Sequence, residues 1–147
     1  MICIAWGQNY HWRTVGSKAL SSNFGEFRDG GFHMGIYIKT LGETGWPVYA
    51  IDDGHISRMV ANFNGYGKAL YLTLNDGPTA VKAHLEEFGF RQESILLTLQ
   101  SINTSYMVNE YITPQQSPVK QGDIIVYTVN TGPSFGPHTP FNWRTWN

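Results

Sequence analysis

Short runs of alternating apolar and polar residues dominate this chain, and clusters of Gly, Asn, Asp and Pro separate them. Strict alternation over about four to eight residues is typical of a half-buried β-strand. The pattern therefore predicts β-strands at residues 35–39, 47–50, 54–60, 68–74, 79–85, 123–129 and 141–146.

Two turns and the character of the last strand also follow from the pattern. Asn75-Asp76-Gly77 lies between two alternating runs and predicts a hairpin turn. Asp52-Asp53-Gly54 predicts a turn in which the Asp side chains bond nearby backbone groups. The segment 141–146 is short and aromatic, and we expect it to be an edge-like strand.

Residues 86–118 carry no decisive pattern. The apolar run at 95–99 fits either a strand or a buried helix, because periodicity does not separate the two over so short a stretch. Residues 103–110 are equally open, and Pro114 and Pro118 mark a loop. Without a repeat or a low-complexity tract, the whole pattern predicts one all-β or β-rich domain.

Composition excludes several classes of protein. The chain has 147 residues, 41% of them hydrophobic and 14% charged, which argues against disorder. Ten basic and eleven acidic side chains leave a net charge of -1, so nothing favours nucleic acid as a partner. Cys3 is the single cysteine, which excludes an intrachain disulfide and a four-cysteine zinc site. No apolar run predicts a membrane span, and the N-terminus does not resemble a signal peptide.

Three of the five histidines stand where functional sites are commonly built. His33 lies between glycines, His84 ends an alternating strand, and His138 follows a loop rich in Gly and Pro. Imidazole in such places suits zinc binding and hydrolysis. His11 and His55 have no comparable context.

An ordered series of motifs resembles the lysostaphin-type zinc metallopeptidases, also called LytM-like domains. The segment GGFHMGIYI at 30–38 is similar to the family pattern G-x-x-H-x-G-x-D-I, and AHL at 83–85 matches Y-A-H-L. NTGPSFGPHTPF at 130–141 is similar to the terminal G-N-T-G-x-S-x-G-P-H-L-H-F. Further matching segments are residues 22–28, 45–56, 64–68 and 119–125, so the resemblance covers roughly residues 22–141.

The resemblance implies a fold, a chemistry and a location. The fold is an antiparallel β-sheet or sandwich with a groove (a duplicated hybrid motif), over residues 22–147, with a divergent or truncated last strand. Residues 1–21 form an extension of unassigned role. The family consists of zinc endopeptidases that cleave peptide cross-links of peptidoglycan, which implies the cell envelope or the extracellular space. The sequence does not indicate an export route.

Carried over by position, the resemblance assigns His33 and Tyr37 to the metal site and His84 and His138 to catalysis. It assigns Gly35, Gly136 and Pro140 to the groove and its turns. Two positions depart from the family: Tyr37 replaces a ligating Asp, and Pro140 replaces the last ligating His. Catalytic zinc sites normally use three protein ligands and a water, so one imidazole is too few. In a straight strand residues 33 and 37 would lie about 13 Å apart, so shared ligation requires a bend near Gly35.

Three functions remain open on the sequence. The first is a degenerate, non-catalytic domain that binds cell-wall peptide or a partner such as a cell-wall enzyme, with no zinc or weakly held zinc. The second is an active zinc endopeptidase with replacement ligands, for which His138, Tyr37, Asp29 and Asp52 are candidates. The third is a structural or glycan-contact domain with an aromatic platform, for which the candidates are Trp46, Tyr66, Tyr71 and Trp143.

Overall fold

The fold is described by a computed structural model over residues 14, 18–23, 25–28, 31–32, 35–39, 43–63, 67–85, 87–128 and 138–144. This part of the chain contains twelve strands and one helix. They are β1 (Leu20–Ser22), β2 (Phe27–Arg28), β3 (Gly31–Phe32), β4 (Gly35–Lys39), β5 (Pro47–Tyr49), β6 (Gly54–Ala61), β7 (Lys68–Leu74), β8 (Thr79–Leu85), α1 (Phe90–Asn103), β9 (Val108–Tyr111), β10 (Pro118–Val119), β11 (Ile124–Tyr127) and β12 (His138–Arg144).

One large antiparallel sheet carries most of these strands, in the order β1-β4-β12-β8-β7-β6-β10, and β9 also pairs with β6. Two small sheets consist of β5 with β11 and of β2 with β3. The predicted β-rich class is confirmed, and β4, β7 and β8 have the predicted bounds. The predicted hairpin turn is present as well: the Gly77 amide donates to the Leu74 carbonyl at 3.0 Å, and Gly77 has φ 107°.

The last strand differs from the prediction. β12 begins at His138 rather than at Phe141, and it lies between β4 and β8 rather than at an edge. Alternation within a segment does not reveal its neighbours, because these are set by pairing with residues distant in sequence. Pro140 has no N–H to donate to a ladder, and the pairing of β12 with β8 begins only at the next residue, Phe141.

The ambiguous region contains the helix α1 and the strand β9. α1 covers the apolar run at 95–99 and buries Leu96 against the core. Thr104 ends the helix in the left-handed conformation at φ 47°, and β9 then pairs with β6. At the other end, Glu93 accepts a hydrogen bond from the Lys68 ammonium at 2.8 Å and one from the Phe88 amide at 3.0 Å. The bond from Lys68 joins the start of α1 to β7.

The core lies on one face of the large sheet, called here the core face. On β7, Leu70, Leu72 and Leu74 belong to the core, and Val48 and Val126 of the small β5–β11 sheet pack in the same cluster. Ala69 and Tyr71 alternate with these leucines and therefore lie on the opposite face, called here the outer face. Ala69 forms a second, smaller cluster there with Val60, Ala83 and Tyr71.

A hydrogen-bonded turn fixes the start of β6. Asp53 accepts from the Lys120 ammonium at 2.8 Å and from the Gln121 amide at 2.9 Å, and the Asp53 amide donates to Asp52 at 2.8 Å. The predicted turn chemistry is therefore confirmed. The hydrogen bond from Lys120, followed by that from the Gln121 amide, holds the pKa of Asp53 below its usual value of 3.8.

This turn makes a small contribution to the acid sensitivity of the protein. Because the pKa of Asp53 is lower in the folded state, its contribution is complete above about pH 4 and is lost as pH falls through the folded value. We expect Asp53→Asn to lower the melting temperature at pH 7, and we expect the difference from the wild type to shrink toward pH 3. Melting curves of both proteins between pH 7 and pH 3 measure this. A difference that stays constant with pH would contradict it.

Candidate functional site

Tyr37 and Pro140 are direct cross-strand partners in the β4–β12 ladder. Opposed residues of an antiparallel pair have Cα atoms about 4.5–5.5 Å apart. Ile36, one residue before position 37, packs against the core, so the alternation of β4 places position 37 on the outer face. The two positions at which the family resemblance implies zinc ligands are therefore adjacent on that face.

His84 lies at an irregularity of β8. Leu85 pairs with Lys68, whereas Lys82 pairs with Leu70, so β8 has one residue more than β7 between these pairs. Ala83 and His84 together oppose the single residue Ala69. Such bulges are common beside functional sites, where they redirect a side chain. The predicted catalytic position thus coincides with a break in the regular ladder.

The predicted site residues of the described strands lie on three neighbours in the sheet. His138 is the first residue of β12, pairs with Lys39 and stands two residues before Pro140 on the same side of the strand. β8, which carries His84, is the next strand. Gly35 is buried and pairs with Asn142. His33 and Gly136 lie outside the described residues.

The other candidate ligands are placed differently. Asp52 lies in the turn before β6, and β6 starts opposite Leu74, at the hairpin end of β7. Leu85, next to His84, pairs with Lys68 at the other end of β7. Asp29 lies outside the described residues. In the described part of the chain, no three His, Cys, Asp or Glu side chains are grouped so that they could hold a metal ion.

The aromatic candidates give no exposed platform among the residues whose side chains are described. Tyr71 is half-buried against the outer-face cluster. Trp46 is half-buried, and its indole N–H donates to Glu43 at 2.8 Å. Tyr66 lies outside the described residues, and Trp143 is placed only as a residue of β12. His55, which has no motif support, pairs with Thr73, and burial lowers its pKa from 6.5.

The motif analysis missed Arg58, which shares the outer face with position 37. Direct partners form a row across the sheet from Arg58 to Gly35, in the order Arg58, Tyr71, Val81, Asn142 and Gly35. Position 37 is two residues from Gly35 and so lies on the same face. Simple alternation from the core residue Ile56 would put position 58 on the core face. An extra residue in β6, Ser57, reverses this, and no local signal in the sequence shows it.

Compared by sequence alone, the chain matches no protein-family model and no curated protein. Compared by structure, it is similar to lysostaphin, at 24% identity and a TM-score of 0.57 over 86% of this chain and 43% of lysostaphin. It is also similar to a variant of the catalytic domain of EnpA, a prophage-encoded M23 protein from Enterococcus faecalis. The identity is 20% and the TM-score 0.58, over 87% of this chain and 81% of the EnpA domain. A zinc-containing peptidase from Vibrio cholerae matches at 22% identity and a TM-score of 0.61, over 92% of this chain and 36% of the peptidase.

These similarities show that the chain has the fold of the lysostaphin-type peptidase domains, as the motif series predicts. The chain spans less than half the length of lysostaphin and of the Vibrio peptidase. Within the described ranges, no helix combines the length and the apolar character that crossing a membrane requires.

Proposed function

We propose that this chain is a non-catalytic domain of the lysostaphin-type fold that binds cell-wall peptide, or a partner protein such as a cell-wall enzyme, in the groove of the former active site. The observation that carries the proposal is the direct pairing of Tyr37 with Pro140. Both departures from the family's ligand set fall on one pair of neighbouring positions.

Donor chemistry supports the loss of zinc. The Pro140 side chain has no donor atom, and Tyr37 offers a phenol, a group whose reference pKa is about 10. Ionising a phenol at pH 7 costs about 4 kcal/mol before any bond to a metal forms. Because catalytic zinc normally requires three protein ligands and a water, the residues present do not fit a catalytic zinc ion.

Peptide binding requires fewer specific groups on this surface than zinc catalysis does. A groove that recognises a peptide needs hydrogen-bonding groups and a shaped face, and it does not need a third metal ligand. His84 and His138, on neighbouring strands, retain imidazoles that can donate and accept hydrogen bonds. The resemblance of the fold to cell-wall peptidases favours peptidoglycan as the surface recognised and the cell envelope or the exterior as the location.

Sedimentation with purified peptidoglycan tests the proposal. We expect the protein to pellet with the insoluble wall and to release no soluble peptide or glycan, with or without added zinc. The variant Lys120→Ala, in the turn before β11, serves as a matched control that should pellet equally well. Release of fragments that a chelator stops would identify an active endopeptidase. Absence of the protein from the pellet would refute wall binding.

A further inference from the structure

The Arg58 side chain is held in place from two neighbouring strands. Its guanidinium carbon lies 5.0 Å from the ring centroid of Tyr71 on β7 and 5.3 Å from that of Tyr111 on β9. Its Nε and Nη2 both donate to the Asn109 side-chain oxygen, at 2.9 and 2.7 Å. Two rings and one amide therefore fix the orientation of the guanidinium, so that a ligand would find it already ordered.

This cation has no carboxylate partner among the described residues. Its contacts there are with Tyr71, Tyr111 and Asn109, which are all neutral. Guanidinium remains charged at any physiological pH and has five N–H donors. The N–H of Nε and one N–H of Nη2 donate to Asn109. One N–H of Nη1 and the second N–H of Nη2, which point in the same direction, are left for a ligand. A pair of this shape matches the two oxygens of a carboxylate.

The distance from Arg58 to the predicted catalytic position, His84, corresponds to a short stretch of extended peptide. β6 is two strands from β8, about 10 Å at the usual strand spacing. When the offset of the two positions along the strands is included, the Cα atoms of residues 58 and 84 are about 12 Å apart. An extended peptide advances about 3.3–3.6 Å per residue, so about three residues span this distance. Val60, Ala69 and Ala83, on the outer face between these positions, are buried, and the half-buried Tyr71 packs against them. A peptide from position 84 would therefore pass over Tyr71 to bring a carboxylate to Arg58.

We propose that Arg58 is the anchor of a subsite for a peptide carboxylate, about three residues from the His84 position. The occupant is an extended peptide that carries this negative charge at its C-terminus or on a side chain. Charge complementarity and the orientation of the guanidinium support this assignment. It rests on the proposed function, since it places the charged end of a peptide bound in the groove.

A pair of peptides that differ only in charge tests the subsite. We expect N-acetyl-tetra-alanine to bind the full chain at least about tenfold more tightly than its C-terminal amide, a difference of about 1.4 kcal/mol. A third peptide, amidated but with one Glu, separates a side-chain carboxylate from a terminal one. Titration followed by NMR measures such weak affinities. Equal affinity for all three peptides in the wild type would overturn the proposal.

Variants of the clamp provide a second measurement. Arg58→Gln should abolish the preference for the charged peptides, whereas Arg58→Lys, which keeps the charge without the paired donors, should retain part of it. Asn109→Ala should weaken the preference, and Lys120→Gln should leave it unchanged. A full preference in a folded Arg58→Gln variant would refute the subsite. If the protein pellets with peptidoglycan but shows no charge preference, the subsite is wrong and wall binding stands. If it does not pellet, wall binding fails, whatever the charge preference.

Discussion

The double substitution Tyr37→Asp and Pro140→His is expected to raise the affinity for zinc by at least about a thousandfold, or about 4 kcal/mol. The two residues are cross-strand partners, so the change introduces a carboxylate opposite an imidazole. With His33, which the family resemblance assigns to the same site, three protein ligands would be available, the number that catalytic zinc uses. Competition against a coloured zinc chelator measures the affinity of each protein.

Three control proteins separate restored ligation from accidental binding. Each single substitution should raise the affinity far less, because two protein ligands remain too few. Adding His33→Ala to the double variant should return its affinity close to that of the wild type. Unchanged affinity in the double variant would show that the residues were carried over to the wrong positions. Tight stoichiometric zinc in the wild type would contradict the proposed loss of the metal.

Gly54→Ala is expected to destabilise the fold by about 3 kcal/mol or more, at the upper end of the cost of overpacking. Gly54 is the first residue of β6 and lies between Leu74 of β7 and Val119 of β10. A methyl group there would collide with the Thr73 carbonyl oxygen and would lie 3.0 Å from the Leu74 Cα. These are backbone atoms, so a strand must move to relieve the contact. Urea unfolding of the two proteins measures the difference.

Gly67→Ala is the matched control, because the same methyl group there meets no atom within 4 Å. Its cost comes only from the left-handed backbone at φ 63°, which is about 1–2 kcal/mol for a residue with a side chain. Equal destabilisation by the two substitutions would mean that close strand contact is not what requires glycine at position 54.

The local pattern was sufficient for the elements whose side chains alternate between core and outer face. β7 buries Leu70, Leu72 and Leu74 on one side, and the Asp-Gly turn that follows leads directly into β8. The information lies within about a dozen consecutive residues, so the sequence alone predicts these strands and their turn. The ordered motifs likewise predicted the fold that the structural similarities show.

The local pattern did not predict the elements whose structure depends on residues distant in sequence. The apolar run at 95–99 fits a strand as well as a helix, and burial of Leu96 against the core accompanies its helical form. The interior place of β12 depends on pairing with β4 and β8, which lie far away in the chain. Nothing in residues 138–144 distinguishes an interior strand from an edge strand.

Residue identity alone supplies the chemistry on which the proposed loss of zinc rests: a pyrrolidine ring and a phenol at the two positions where the family resemblance implies metal ligands. The folded sheet decided that these two positions face each other, because register is a property of paired strands. Tertiary structure also decided the place of Arg58, since one extra residue in β6 moves its side chain to the outer face. The sequence determines which donor atoms are present, whereas strand pairing between segments that are remote in sequence determines which of them lie next to each other.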